Sequence, residues 1–469
     1  MEFFEKVFWF LVTLAVLIPI HEYGHYRVAR ACGVKVLRFS IGFGRVLFRR
    51  TYGVDRTEFA LSMLPLGGYV KMLDEREGPV APADLPRAFN RRPLYQRALV
   101  VAAGPAANLL LAIVLLAFVQ WYGQDEPAPV ASTPTAGSLM AQAGLRSGDH
   151  VISTAKGNAD DAADWQDVRS FNDLYDALGQ AMLDRSPLQM RVTHPGESGV
   201  RTLNIPLDTL DPDDKGAGAR LGLGAPFTPA RIGEVVPGSA ASLAGLRSGD
   251  LVLQVDGQAV VDAQALREKI VATAKAPATS ASAAPAATPR AMQWDVRRNG
   301  TPLSLMVTPR IDDVEGQHLA RVGVTFGDYE HVYVREEPLA SLRLGAVETW
   351  QQATGSLRMF GRMIIGQASL KNLGGPGTIA DVATASAHRG FTFFLSFLAM
   401  VSIGLGVLNL LPIPMLDGGM LLYYLFEGAT GRPVSELWQI WLQRGGALIL
   451  LLLMSLALSN DVARHLGLQ

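Results

Sequence analysis

Two histidines spaced four residues apart follow an uncharged apolar run and could together bind one metal ion. Residues 7–20 carry no charge, and His21, Glu22 and His25 come directly after them. On a helix the two imidazoles share one face and can bind a single Zn²⁺, while Glu22 lies beside them in position to take a proton from water. Ionisable residues in an apolar span are costly and usually mark a functional site. The pattern therefore favours metal-dependent hydrolysis over two histidines with a structural role at a membrane interface.

A third metal ligand must come from a distant part of the chain. Residues 26–54 contain no Asp, Glu or His, and the next histidine is His150. The strongest candidate is Asp417, within the stretch N-L-L-P-I-P-M-L-D-G-G that closes an uncharged segment. Asp-Gly is also typical of an ordinary turn, and Asp55 and Glu58 are alternative acids. Three protein ligands and one open position are typical of a catalytic zinc site.

Four apolar segments are long enough to cross a bilayer as helices. They run over residues 3–27, 98–122, 391–416 and 438–460. The chain of 469 residues is 49% hydrophobic, which suits a protein that is partly membrane-embedded and partly soluble. These segments predict a polytopic α-helical membrane protein with four transmembrane helices.

Basic residues predict the orientation of these segments. Residues 27–97 contain 14 Lys and Arg against six Asp and Glu, so this loop should face the cytoplasm. The first segment is then an uncleaved anchor with its N-terminus outside. Residues 123–390 and the C-terminus are also expected outside, and the loop over 412–444 inside.

The middle of the chain contains an internal repeat. The heptapeptide A-G-L-R-S-G-D occurs at residues 143–149 and again at 244–250. Such a repeat predicts two copies of one domain, over 127–226 and 227–327, with a low-complexity insertion at 275–290 in the second copy. In that copy we expect a strand followed by a turn at 251–258, strands at 292–296 and 303–307 and a helix at 262–271. Residues 338–390 form an amphipathic juxtamembrane region, with a helix expected on the outer membrane surface.

Composition excludes several other properties. The formal net charge of −1 argues against nucleic acid as a partner. Cys32 is the only cysteine, so no internal disulfide can form. Without a second cysteine to support a thiolate site, Cys32 is expected to be a packing residue rather than a metal ligand.

Taken together, these motifs resemble the site-2 protease family of intramembrane metalloproteases, most closely its bacterial members with tandem PDZ domains. H-E-Y-G-H in the first segment, N-x-x-P-x-x-x-x-D-G after the third and the PDZ-like repeat between the second and third carry the resemblance. It covers nearly the whole chain apart from the insertion. Met420 departs from the histidine of many relatives, but that position is not a ligand in the family.

The resemblance implies roles for individual residues. His21, His25 and Asp417 correspond to the zinc ligands and Glu22 to the general base. Asn409, Pro412, Gly67 and Gly68 correspond to residues that position the substrate, the two glycines within a membrane-associated β element. In PDZ domains a loop and strand edge bind an extended peptide by β-augmentation, although two spacer domains without a ligand are an alternative. The corresponding groove residues are Leu221, Gly222, Leu223, Val322, Gly323 and Val324.

The expected architecture is a membrane protease domain in two halves, residues 1–122 and 391–469, with two exported β-rich PDZ domains between them. The expected function is zinc-dependent cleavage of single-span membrane proteins in the bacterial inner membrane. The family's substrates imply a pre-trimmed anti-sigma factor, acting in a stress response, and remnant signal peptides. Two other interpretations are a non-enzymatic PDZ scaffold and a membrane-tethered zinc protease that cuts soluble proteins outside.

Overall fold

A computed structural model of the chain describes residues 2–157, 164–210, 216–273, 290–314, 317–365 and 374–465. These residues form two compact units, one comprising Met1–Gln124 with Arg335–Gln469 and the other comprising Asp125–Val334. The insertion predicted at 275–290 lies outside the described residues, apart from Arg290.

The α-helices of the described residues are seven long or medium helices in the first unit and five shorter ones in the second. In chain order they are α1 Glu2–Ala31, α2 Leu94–Tyr122, α3 Leu139–Gln142, α4 Phe171–Leu183, α5 Ala217–Leu221, α6 Ala240–Leu243, α7 Ala263–Ala272, α8 Pro338–Ile364, α9 Pro376–Arg389, α10 Phe391–Leu410, α11 Asp417–Thr430 and α12 Glu436–His465.

The strands form several small sheets. In chain order they are β1 Val36–Tyr52, β2 Thr57–Met72, β3 Gln124–Pro127, β4 His150–Lys156, β5 Gln166–Asp167, β6 Leu188–Thr193, β7 Arg201–Ile205, β8 Ile232–Val235, β9 Leu251–Val255, β10 Gln258–Ala259, β11 Met292–Arg298, β12 Thr301–Val307, β13 Arg310–Val314, β14 Gln317–Arg321, β15 Val324–Phe326 and β16 His331–Val334.

Four helices are long and apolar enough to cross a membrane, as predicted. They are Phe3–Ala31, Leu94–Tyr122, Phe391–Leu410 and Leu437–Ala463. The prediction was wrong about the third, which ends at Leu410 rather than at residue 416. Leu411 is extended, with φ −63° and ψ 143°. Proline disfavours helical geometry in the residue before it, so Pro412 ends the helix.

A twisted β element packs beside α1 and α2. Residues 38–41 of β1 have partners on both sides, residues 58–61 and residues 68–71 of β2. Phe39 of this sheet packs with Tyr26 of α1, Val100 of α2 and Tyr424 of α11 in one buried cluster. The cluster fixes the sheet against the helices that carry the chemistry.

Helix α8 packs on α2 through small residues. Ser341, Thr349 and Ala353 are buried, whereas Val347 and Trp350, two apolar residues of the predicted amphipathic region, are exposed. A side chain at position 345 would approach Ile113 O and Ala117 N of α2 to 2.8 Å, so Gly345 permits close contact. The exposed apolar side chains of α8 are therefore free to face lipid, and the position of this helix on a bilayer surface stays a prediction.

The second unit contains two modules, each with its own four-stranded sheet. The strand orders are β5-β4-β6-β7 and β10-β9-β11-β12, and each sheet covers a separate apolar core. The predicted helix at 262–271 and the strands predicted to begin at residues 251, 292 and 303 are confirmed. Their ends differ from the prediction by a few residues at most. Asn299 and Gly300, with φ 49° and 85°, form the tight turn between β11 and β12.

The repeated heptapeptide ends in a buried aspartate. This aspartate ties the loop to the hairpin of the last two strands of each four-stranded sheet, β6 and β7 or β11 and β12. Asp149 accepts hydrogen bonds from the Arg146 backbone at 2.8 Å and from Arg201. Asp250 accepts the equivalent bonds from the Arg247 backbone at 2.9 Å and from Arg298. Burial raises the pKa of Asp250, but these hydrogen bonds outweigh it, so the pKa lies below its ordinary value.

The two ends of the second unit lie side by side. Strands β3 and β16 form a two-stranded sheet, and the Ala128 amide donates to the Glu330 carbonyl at 2.7 Å. The chain therefore begins and ends this unit at neighbouring points.

Candidate metal centre

Three potential metal ligands from opposite ends of the chain converge in the first unit. The Nε2 atoms of His21 and His25 lie 3.2 Å apart. Asp417 Oδ2 lies 3.3 Å from the first of these nitrogens and 3.5 Å from the second. All three side chains are largely shielded from solvent, and they form a group that could hold a metal ion.

The chemistry of this group fits zinc. Asp417 Oδ2 is buried and has no hydrogen-bond donor in the part of the chain that the structure describes, although it faces two imidazole nitrogens. The Nδ1–H of His25 donates to the Val100 carbonyl at 2.8 Å, which leaves Nε2 as the nitrogen with a free lone pair. Two imidazoles and one carboxylate are a common ligand set of catalytic zinc, and such histidines are regularly oriented through the other ring nitrogen.

Glycines let α1 and α2 approach closely at the two histidines. A side chain at position 24 of α1 would come within 2.8 Å of the Ala107 Cβ on α2. One at position 104 of α2 would overlap the His25 ring and reach 2.8 Å from His21 Cε1. Gly104 therefore provides the space in which the imidazoles lie.

Asp417 is held at the start of α11 by an irregular turn. Gly418 lies directly on the turn, since a Cβ there would come within 2.5 Å of Leu410 O. Met415 has φ 88°, a left-handed conformation that is uncommon outside glycine. The Asp-Gly-Gly sequence thus folds the chain tightly enough to bring its carboxylate back to α1.

A cavity of about 440 Å³ opens beside the three ligands. Its lining includes Glu22, Asn409 and Gly68 among the predicted functional residues. A Cβ on Gly68 would come within 2.9 Å of Glu22 Cγ, so the β element lies directly against the glutamate. Gly67 instead contacts the Phe43 ring, and Pro412 lies in the turn after α10; neither is among the lining residues.

The alternative acids have other partners. Asp55 pairs with Arg87 at 2.6 Å and Glu58 with Arg38 at 3.1 Å. Asp74 also lines the cavity, but it pairs with Arg76 at 2.6 Å. Burial raises the pKa of Asp74, but hydrogen bonds from Arg76 outweigh this effect, so the pKa of Asp74 lies below its ordinary value. Each of these carboxylates neutralises an arginine.

Of the two predicted PDZ grooves, the second is open. Val322, Gly323 and Val324 line a cavity of about 510 Å³ together with Arg267 and Ile270 of α7. Strand β15 pairs with β8 on one side. This arrangement of strand edge and helix is typical of a groove that accepts an extended peptide.

The corresponding region of the first module is arranged differently. Residues 222–225 form no strand, and the Tyr175 hydroxyl of α4 donates to the Gly224 carbonyl at 3.1 Å. Leu221 and Leu223 pack into the core or against it. Tyr175 follows buried Leu174 just as Arg267 follows buried Leu266 in α7, so the same helical position bonds to the Gly224 carbonyl in the first module and lines the groove in the second.

Two imidazoles, a carboxylate and a neighbouring glutamate, beside helices of membrane-spanning length, define a metal-dependent hydrolase of the membrane. Residues 9–453 match the family model described as peptidase family M50. The chain belongs to this family, which is that of the site-2 proteases, and the resemblance inferred from the motifs is confirmed.

Three relatives align over nearly their whole length. The chain is 45% identical to a candidate zinc metalloprotease of Ralstonia nicotianae, covering 97% of both chains. It is 38% identical to protease RseP of Yersinia pestis, covering 97% of this chain and 98% of the relative. It is 37% identical to the regulator of sigma-E protease RseP of Escherichia coli, with the same coverage.

The protein is therefore an intramembrane zinc metalloprotease of the RseP type with several membrane spans. Family membership excludes the non-enzymatic scaffold. Val100, Gly104 and Asn108 of α2 surround the histidines and were not predicted from the sequence. The available signal was a glycine and an amide within the uncharged stretch 98–122, because a buried amide in an apolar helix requires a hydrogen-bond partner.

Proposed function

We propose that this protein cuts a peptide bond within, or at the edge of, the membrane-spanning segment of single-span proteins. The observation that carries the proposal is the convergence of His21, His25 and Asp417 beside membrane-length helices. Relatives named as regulators of sigma-E support an anti-sigma factor as substrate. We expect such a substrate to have been shortened first by another protease, and remnant signal peptides to be a second class.

The chain's own residues account for the chemistry. His21, His25 and Asp417 hold the zinc ion, which when bound acidifies water and polarises a carbonyl. Glu22 accepts a proton from the attacking water and delivers it to the leaving amide nitrogen. Its position on α1, one residue after His21, keeps the carboxylate at the cavity that the ligands share.

The edge of the β element is suited to holding the substrate extended. A transmembrane helix hides its amides in its own hydrogen bonds and must unwind before it can be cut. Residues 68–71 of β2 pair with 38–41 on one side, and Gly68, Tyr69 and Val70 line the cavity. A substrate strand added to this edge would pass the metal ligands. Asn409 faces the same cavity, while Gly67 and Pro412 shape the backbone around it.

A direct test uses the purified protein in detergent with zinc and a model single-span substrate. We expect one main cut, mapped by mass spectrometry to the apolar segment. Cuts confined to the soluble flanks of the substrate would contradict intramembrane cleavage. They would favour the tethered protease instead.

The proposed orientation places the zinc site toward the cytoplasm and the PDZ modules and both termini in the periplasm of a bacterial inner membrane. The excess of Lys and Arg between residues 27 and 97 supports it. Cys32, the only cysteine, closely follows α1 and is a natural probe. An impermeant thiol label should reach Cys32 in inside-out vesicles, with the protein denatured, and should not reach it in intact cells. Labelling of Cys32 from outside intact cells would contradict this orientation.

We propose that the second PDZ groove binds an extended peptide and that the first does not. Arg267 lines the open groove, whereas Tyr175 closes the equivalent one. Charge reversal in Arg267→Glu should weaken the binding of a peptide that contains both acidic and apolar residues to the full-length protein by at least about tenfold. Tyr175→Phe is the matched control and should leave binding unchanged. Fluorescence anisotropy measures both, and equal loss in the two variants would contradict the assignment.

A further inference from the structure

The two imidazoles of the metal centre are oriented by different kinds of partner. His25 uses a backbone carbonyl, that of Val100, at 2.8 Å. The Nδ1 atom of His21 instead lies 3.3 Å from the side-chain amide of Asn108, one turn beyond Gly104 on α2. A side chain can be changed by mutation whereas a carbonyl cannot, so the two contacts can be separated experimentally.

Asn108 lies where an amide side chain is costly unless it forms hydrogen bonds. It is completely buried, and residues 98–122 around it carry no charge. The Ser402 hydroxyl of α10 donates to the Asn108 backbone carbonyl at 2.7 Å and fixes this part of α2. The side-chain Oδ1, however, is buried with no hydrogen-bond partner among the described residues. A buried acceptor without a donor is unfavourable.

Zinc binding decides which amide atom faces the histidine. With Nδ2 facing Nδ1, the ring nitrogen must accept a hydrogen bond, which places the proton on Nε2 and removes the lone pair needed by the metal. Rotating the nearly symmetric amide exchanges its two ends. Oδ1 then accepts a hydrogen bond from Nδ1–H, and Nε2 keeps the lone pair that the metal needs.

We infer that Asn108 is a positioning residue whose amide oxygen accepts the Nδ1–H of His21 and so presents Nε2 to zinc. The inference rests on His21 being a zinc ligand, as in the proposed function. It assigns Asn108 no contact with the substrate. Partners of this kind generally change metal affinity or activity by about 10- to 100-fold when they are removed.

The test measures zinc affinity by chelator competition in detergent-purified full-length protein. Asn108→Leu, of similar size but without an acceptor, should bind zinc about 10- to 100-fold more weakly. Asn108→Asp keeps an acceptor at the same place and should stay within about threefold of wild type or bind more tightly. Ser402→Ala is the structural control: it should lower the unfolding temperature without a comparable loss of zinc affinity.

Each result has a defined consequence. A folded Asn108→Leu variant with unchanged zinc affinity would overturn the inference, as would equal losses in Asn108→Asp and Asn108→Leu. If Asn108→Leu does not fold, the affinity of Asn108→Asp decides alone, and a loss beyond about tenfold overturns the inference. His21→Ala separates the two proposals. If it binds zinc normally, the ligand assignment fails; if it loses zinc while Asn108→Leu does not, only the positioning role fails.

Discussion

Glu22→Gln is expected to fold and to bind zinc normally while losing peptide cleavage by at least about a thousandfold. The amide keeps the shape of the side chain at the cavity but cannot accept a proton from water. The loss is large because a general base and a metal centre act together on one water molecule. Zinc content and single-turnover cleavage of a single-span substrate, measured on the same preparation, test both parts of the expectation.

The control for Glu22 is its exposed neighbour on α1. Tyr23 is 50% exposed and does not line the cavity. Tyr23→Phe should therefore cut at the wild-type rate. Cleavage by Glu22→Gln within about tenfold of wild type would remove Glu22 from the role of general base.

Asp417→Ala is expected to lower zinc affinity as well as activity, which distinguishes it from the glutamate variant. The substitution removes one of three protein ligands and the negative charge that offsets part of the charge of the ion. The decrease should exceed the roughly 10- to 100-fold typical of residues that only orient a ligand. Equilibrium competition with a chelator measures it.

Asp55→Ala and Glu58→Ala serve as matched carboxylate controls, because their partners are Arg87 and Arg38. Both should retain zinc. If Asp417→Ala retained zinc and one of the controls lost it, the third ligand would have to be reassigned to that acid.

Much of the metal centre could be predicted because its ligands have a distinctive chemistry. A two-histidine motif next to an apolar run and an acid after another such run indicate the same site even though most of the chain separates them. Four membrane-length helices and the repeat were predictable for a similar reason, since hydrophobic length and exact repetition are properties of the sequence itself.

The contribution of α2 could not be predicted in the same way. Val100 acts through its backbone, and Gly104 acts through the absence of a side chain, so neither has a recognisable chemistry. The end of α10 was misplaced because apolar residues continue past Leu410, whereas backbone geometry before Pro412 ends the helix there. Likewise, Gly222 and Gly323 look equivalent in the repeat, although Gly323 precedes a strand, whereas residues 222–225 form none and Gly224 is bonded by Tyr175.

The pairing of β3 with β16 makes the second unit modular. Because both of its ends are held next to each other, the chain leaves the protease half and returns to it at almost one point. Domains are most readily inserted or exchanged where their termini are adjacent. The second unit can thus change, as its two differing grooves illustrate, without moving the points at which the chain joins the half that carries His21, His25 and Asp417.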